Sequence, residues 1–151
     1  MFSTLLVAMT LSTNTIPLTH EVPVEGTPTP LSLRYEADVA IQHRQVGTVA
    51  PGGRGDTLRC HWTAGGDVRR TLVGTDDAAA TRQLPLASTG ALKPMKGQRP
   101  GWCETNRAAI AASVEAGIPA LRTQLVAFAE RDRTTLSSEI NDAHALFRTG
   151  S

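Results

Sequence analysis

Apolar and polar residues alternate along residues 31 to 42, in the stretch LSLRYEADVAIQ. Every second position is apolar or aromatic, at Leu31, Leu33, Tyr35, Ala37, Val39 and Ile41. Successive side chains of a strand point to opposite faces of a sheet, so this alternation predicts a strand with one face in a core and the other in water. It is the clearest strand signal in the chain.

Two further segments predict strands that extend the same sheet. The first has apolar residues at alternate positions, at Leu58, Cys60, Trp62 and Ala64. The second, VRRTLVG, begins at Val68 and is shorter. Glycine-rich stretches favour sharp turns, so APGGRGD, residues 50 to 56, predicts a hairpin turn and AGGD, residues 64 to 67, predicts a second turn.

The C-terminal third of the chain has a helical period. Apolar residues recur at intervals of three and four, except where Asp132 interrupts them, at Ile110, Val114, Ile118, Leu121, Leu125, Phe128, Leu136, Ile140, Ala143 and Phe147. This spacing places them on one face of an α-helix. Proline lacks an amide and glycine favours helix ends, so AGIP, residues 116 to 119, predicts a disturbance. We expect one long, kinked amphipathic helix or a pair of helices.

Strands first and a helix last predict an α+β fold, in which the C-terminal helix covers a small antiparallel sheet of about three or four strands. Residues 76 to 101 carry little pattern, so we expect mostly loop, with one more edge strand near residues 84 to 86. We expect a single domain over residues 31 to 149, long enough for its own core. An extended arm over residues 21 to 30 and a signal or leader segment over residues 1 to 20 precede it.

The leader assignment depends on a short apolar run from Leu5 to Leu11. This run is too short to cross a bilayer, so we expect no integral membrane segment. It resembles the apolar part of a secretory signal, although no basic residue precedes it and no clear cleavage site follows it. Export to the periplasm or the exterior is one expectation, and a cytoplasmic location is the alternative.

The charge balance argues against nucleic acid as a partner. Fifteen basic residues face fourteen acidic ones, for a net charge of +1, so the chain has no strong overall field. The segment around the predicted helix start is locally basic, with Lys93, Lys96, Arg99 and Arg107. Free amides at a helix N-terminus attract anions, so these four residues form a candidate anion-binding site. A solvated basic loop is the alternative.

The chain has two cysteines, Cys60 on the apolar face of a predicted strand and Cys103 at the start of the predicted helix. A disulfide between them would tie the sheet to the helix that packs on it and would indicate an oxidising compartment. Two alternatives remain open. Cys103 could be a nucleophile activated by the helix N-terminus, or the two cysteines could be buried thiols of a cytoplasmic protein.

No motif predicts a metal, a cofactor or a known catalytic machinery. The cysteines form no C-x-x-C pair, and zinc would need histidine ligands as well. The chain has four histidines, at His20, His43, His61 and His144. Only His43 and His144 are expected to be able to approach the cysteines. The sequence also lacks a nucleophile elbow, a metalloprotease helix and a phosphate-binding loop.

The sequence therefore favours a small exported domain, periplasmic or secreted, that is stapled by the disulfide Cys60–Cys103. We expect it to be non-enzymatic and to bind a protein partner or to serve as an accessory of the envelope. A homodimer through the C-terminal helix is the simplest version. The alternative is an enzyme or an anion-binding protein that uses Cys103 and the basic loop before the helix.

Overall fold

A computed structural model describes residues 15–26, 31–49, 57–74, 84–85 and 90–148, and the side chains of 84–85 and 137–148 are not described. One antiparallel sheet and one helix make up the chain in these ranges. The elements are β1 Thr15–Val24, β2 Leu31–Val46, β3 Arg59–Gly65, β4 Asp67–Gly74, β5 Leu84–Pro85, β6 Gly90–Ala91, β7 Met95–Pro100 and α1 Cys103–Arg148. The α+β fold with a long C-terminal helix is confirmed, and the predicted turn over 50 to 56 lies outside the described residues.

β2 is the long central strand of the sheet. β1 pairs with one edge of β2, and β3 and β4 pair with the other edge, all antiparallel. The register against β2 continues from β3 into β4, because Ala40 lies opposite Gly65 and Ala37 lies opposite Val68. β3 and β4 are therefore successive parts of one extended run, and the turn predicted from AGGD is wrong.

Gly66 explains why the glycines of AGGD do not mark a turn. A Cβ atom at Gly66 would overlap the carbonyl oxygen of Asp38 on the neighbouring strand. Glycine is needed here because the two backbones approach closely, which no larger residue permits. The glycines of AGGD therefore have a structural cause, which is the contact between two strands and not a turn.

The expectation of loop over residues 76 to 101 is wrong for Met95–Pro100, which forms β7 and pairs with β3. The short strands β5 and β6 pair with β4, and β5 lies where an edge strand was expected. In the described part of the chain the sheet thus has seven strand segments, more than the three or four predicted.

β7 lacked an alternating pattern because two of its three inward positions are not apolar. Gly97 leaves room for the ring of Trp62, which a Cβ atom at Gly97 would overlap. Arg99 extends toward the helix, where its Nε donates a hydrogen bond of 3.2 Å to Oδ1 of Asn106. The residue types at Gly97 and Arg99 suit neighbours on other elements, so the alternation of apolar and polar residues could not reveal this strand.

β1 occupies the segment in which the sequence suggested the end of a leader and the start of an arm. Its residues Leu18 and Val22 are only 2% and 4% exposed and belong to the main core. The folded sheet therefore includes residues from Thr15 onward.

α1 lies across one face of the sheet and runs without interruption from Cys103 to Arg148, so the chain forms a single helix rather than a helix pair. The apolar stripe predicted from its period is buried against the sheet, at Ile110, Val114, Leu121, Leu125 and Leu136. Ile118 and Phe128 are partly buried beside it. The predicted stripe members Ile140, Ala143 and Phe147 have side chains outside the described residues.

Pro119 is accommodated inside α1 because it lies on the exposed side of the helix, as does Glu115. Water can therefore satisfy the Glu115 carbonyl that proline leaves without an amide donor. Gly117 has a packing role, since a Cβ atom there would overlap the sulfur of Met95 on β7. The AGIP signal reflects close approach to the sheet and not a helix end.

Candidate functional site

Cys60 and Cys103 form the predicted disulfide, with their Cα atoms 4.8 Å apart. Cys60 is fully buried on the inward face of β3, and Cys103 is the first residue of α1. The bond therefore joins the sheet to the start of the helix. The sulfur of Cys103 is bonded to that of Cys60 and is therefore not a thiolate in this structure.

Gln45 reinforces the corner at which the disulfide lies. Its Nε2 donates to the carbonyl oxygens of Arg59 at 3.1 Å and Gly101 at 3.2 Å, and its Oε1 accepts from the amide of Cys103 at 2.8 Å. This side chain therefore accepts a hydrogen bond from one of the amides at the helix N-terminus that have no partner within the helix. Sequence reasoning missed Gln45, because its role depends on its position opposite Cys60 in the sheet.

A cluster of three polar residues lies beneath α1. Tyr35 on β2 lies opposite Arg70 on β4, and Asp132 reaches both from the helix. Oδ2 of Asp132 accepts a hydrogen bond from the Tyr35 hydroxyl at 3.0 Å and from Nη1 of Arg70 at 2.5 Å. Tyr35 is 0% exposed and Arg70 is 5% exposed. The interruption of the apolar period at Asp132 was the sequence signal for this cluster, but its partners could not be inferred from it.

The polar cluster has a structural role. Burial and the neighbouring carboxylate of Asp132 raise the pKa of the Tyr35 hydroxyl above its ordinary value, so the hydroxyl stays protonated and keeps donating to Asp132. The Tyr35 ring also packs edge-to-face on Phe128, with centroids 6.1 Å apart. These contacts connect the helix to the sheet and are closed to ligands by burial.

The opposite face of the sheet offers the candidate binding surface, since no helix among the described residues covers it. Two open depressions of about 460 and 490 Å³ lie on this face. Both are lined by Gln42 and Thr63, so together they form one groove along β2 and β3, which we call the outer groove.

The end of the outer groove near β6 is acidic. Asp38 and Asp67 line it, together with Gly65 and Pro94. The carboxylate of Asp38 already forms a salt bridge of 2.5 Å with Arg69, and both side chains are largely exposed. This end therefore combines a compensated carboxylate with the exposed side chain of Asp67.

The other end of the outer groove is basic. Arg44, His61 and Lys96 line it, and none of its described lining residues is acidic. Arg44 of β2 lies directly opposite His61 of β3, and Lys96 of β7 lies opposite Thr63 of β3. The three residues thus come from three neighbouring strands and share the outward face of the sheet.

The structure does not bring the four predicted anion-binding residues to one point. Lys96 lines the outer groove, whereas strand alternation turns Arg99 to the inward face of β7. Arg107 is exposed on α1, and Lys93 is exposed before β7. Sequence reasoning missed Arg44 and His61, which only the pairing of β2 with β3 brings beside Lys96.

The histidines gather no metal site within the described ranges, where no group of three or more His, Cys, Asp or Glu side chains is arranged to hold an ion. His20 is on β1, while His43 and His61 are on β2 and β3. The side chain of His144 is outside the described residues. The described part of the chain also contains no helix long and apolar enough to cross a membrane.

Among the described residues, a function can be argued from the disulfide corner, the buried polar cluster and the outer groove. Of these, only the outer groove is open to a ligand. Comparisons with protein-family models, curated proteins and solved structures give no match for this chain.

Proposed function

We propose that this protein is a small non-enzymatic domain of an oxidising compartment, periplasmic or secreted, that binds a protein partner through the outer groove. The observation that carries the proposal is the division of the sheet into two unlike faces. α1 covers one face and completes the core, so the other face is not needed for folding. That face instead carries two open depressions lined by charged, polar and apolar residues, which suits recognition of a partner.

The disulfide supports the choice of compartment. Disulfides persist in the periplasm and outside the cell, whereas cytosolic reductants keep thiols reduced. The bond uses both cysteines of the chain and joins positions 43 residues apart. A cytoplasmic location, the alternative, would leave Cys60 as a buried thiol beneath the helix.

Export by signal cleavage predicts a mature N-terminus upstream of β1. Cleavage after residue 20 would remove Leu18, whose burial stabilises the fold by about 2 kcal/mol. A leader is therefore expected to end at or before residue 14. Intact-mass measurement of the protein from its native host tests this expectation, and a mature chain that begins after Thr15 would contradict it.

The homodimer expected through α1 has weaker support than the outer groove. Between Cys103 and Leu136, where the side chains of α1 are described, the large apolar residues are buried or partly buried, and the exposed apolar residues are alanines and Pro119. Small side chains bury little apolar area, which limits the stability of a dimer on this face. We therefore assign the partner to the outer groove.

Site-specific crosslinking tests the assignment of the partner to the outer groove. We expect a photo-crosslinking residue at Gln42, which is exposed and lines both depressions, to form one discrete adduct with another protein in the native host. The same residue at Ala120, exposed on α1, is the matched control and should form none. Adducts from Ala120 alone, or from neither position, would refute the proposed surface.

A further inference from the structure

We infer that the basic end of the outer groove binds an acidic segment of the partner in an extended conformation. This inference rests on the proposed function and names the class of ligand. Arg44 and Lys96 supply positive charge there, and His61, Thr63 and Gln42 supply hydrogen-bond donors. Carboxylates are the groups that such a set of side chains binds most directly in proteins.

The cations of the basic end have no partner among the described residues. No described residue forms a salt bridge or a hydrogen bond with the side chain of Arg44, His61 or Lys96. By contrast, Arg34, Arg69 and Arg70 of the same sheet each pair with a carboxylate. Within the described residues, the sheet thus pairs three of its arginines with carboxylates, whereas Arg44 and Lys96 line one depression without an acidic partner.

The sheet geometry brings these groups close enough to act together. Residues directly opposite in neighbouring strands have Cβ atoms about 5 Å apart, which applies to Arg44 with His61 and to Lys96 with Thr63. The two pairs are separated by two residues along β3, or about 7 Å. Consecutive outward side chains of an extended peptide have the same spacing, so two carboxylates of one segment could reach both pairs.

The shape of the outer groove favours a chain segment over a small molecule. Small-molecule sites usually enclose most of the ligand, whereas this depression is open and continues into its neighbour through Gln42 and Thr63. The acidic end would repel further carboxylates through Asp67. The bound segment is therefore acidic only over the residues that reach Arg44 and Lys96, and neutral or basic beyond them.

A nuclear magnetic resonance titration of the full, oxidised chain tests this inference with the peptide EEESSS, with KKKSSS as the charge control. We expect EEESSS to shift the amide resonances of Arg44, His61 and Lys96, and KKKSSS to leave them unchanged. The variant Arg44→Glu/Lys96→Glu is expected to weaken EEESSS binding at least about tenfold, because both attractive charges become repulsive.

The matched control is Arg107→Glu/Arg122→Glu, which reverses two exposed charges on α1 and is expected to change the affinity by less than about twofold. The inference would be overturned if both double variants weakened EEESSS binding equally. It would also be overturned if inorganic phosphate, at the same concentration of charge, displaced EEESSS. If EEESSS fails to bind while Gln42 still yields its crosslinked adduct, the ligand class is wrong and the proposed function stands. If the adduct is also absent, both are wrong.

Discussion

Replacement of Asp132 by alanine is expected to lower the free energy of unfolding by about 3–5 kcal/mol, because it leaves the buried guanidinium of Arg70 without its counter-charge. The side chains of Arg70 and Asp132 are only 4% and 13% exposed, so solvent cannot replace the lost carboxylate. The Tyr35 hydroxyl loses its acceptor in the same variant. Denaturant unfolding followed by far-ultraviolet circular dichroism measures the change.

Glu130 provides the matched control on the same helix. It also forms a salt bridge, with Arg133 at 3.7 Å, but both side chains are about half exposed. We expect Glu130→Ala to cost less than about 1 kcal/mol, as exposed ion pairs do. The double variant Arg70→Met/Asp132→Leu should recover most of the stability lost in Asp132→Ala, because it removes the uncompensated charge. Similar losses at Asp132 and Glu130 would show that the buried cluster does not hold the helix.

Removal of the disulfide is expected to have an effect of similar size. The variant Cys60→Ala/Cys103→Ala should lose about 4 kcal/mol of unfolding free energy, the chain-entropy value for a loop of this length. The folded state should keep its secondary structure, since Gln45 still holds the start of α1. Denaturant unfolding of the oxidised wild type, the reduced wild type and the double variant gives the comparison.

Reductant is the internal control for the disulfide experiment. It should lower the unfolding midpoint of the wild type and leave that of the double variant unchanged. Tryptophan emission gives a second signal, because Trp62 lies two residues from Cys60 and Trp102 adjoins Cys103. We expect mild reduction to raise this emission before global unfolding begins. If reductant changes neither the unfolding midpoint nor the tryptophan emission of the wild type, the two cysteines are not bonded.

The two segments with a clean period were predicted well. The alternation around Tyr35 gave β2, and the three-and-four spacing from Ile110 onward gave α1 with its buried stripe. Each pattern reports a local geometry, since it depends only on where successive side chains point. The pairing of Cys60 with Cys103 could also be inferred. The strand pattern placed Cys60 on the face toward the helix, and the helix pattern placed Cys103 at the start of that helix.

The glycines were the least informative residues when read from the sequence. The sequence predicts a turn at Gly66 and a helix disturbance at Gly117, yet a Cβ atom at Gly66 would overlap the backbone of Asp38, and one at Gly117 would displace the Met95 side chain. Gly97 concealed a strand for the same reason, because it replaces an apolar residue where Trp62 fills the space. In each case the glycine leaves room for a neighbouring element. The sequence alone does not show whether that element is near or distant along the chain.

The sequence by itself determined the class of fold and the face that each main element buries, and it favoured a disulfide between Cys60 and Cys103. These follow from periodicity and from the burial that it implies, which are properties of single segments. Only the tertiary structure decided that Tyr35, Arg70 and Asp132 meet in the core. It also decided that Lys96 lies beside Arg44 and His61 in the outer groove, whereas Arg99 faces the helix. Both outcomes depend on the register between strands, because a shift of one residue would turn every side chain of a strand to the other face.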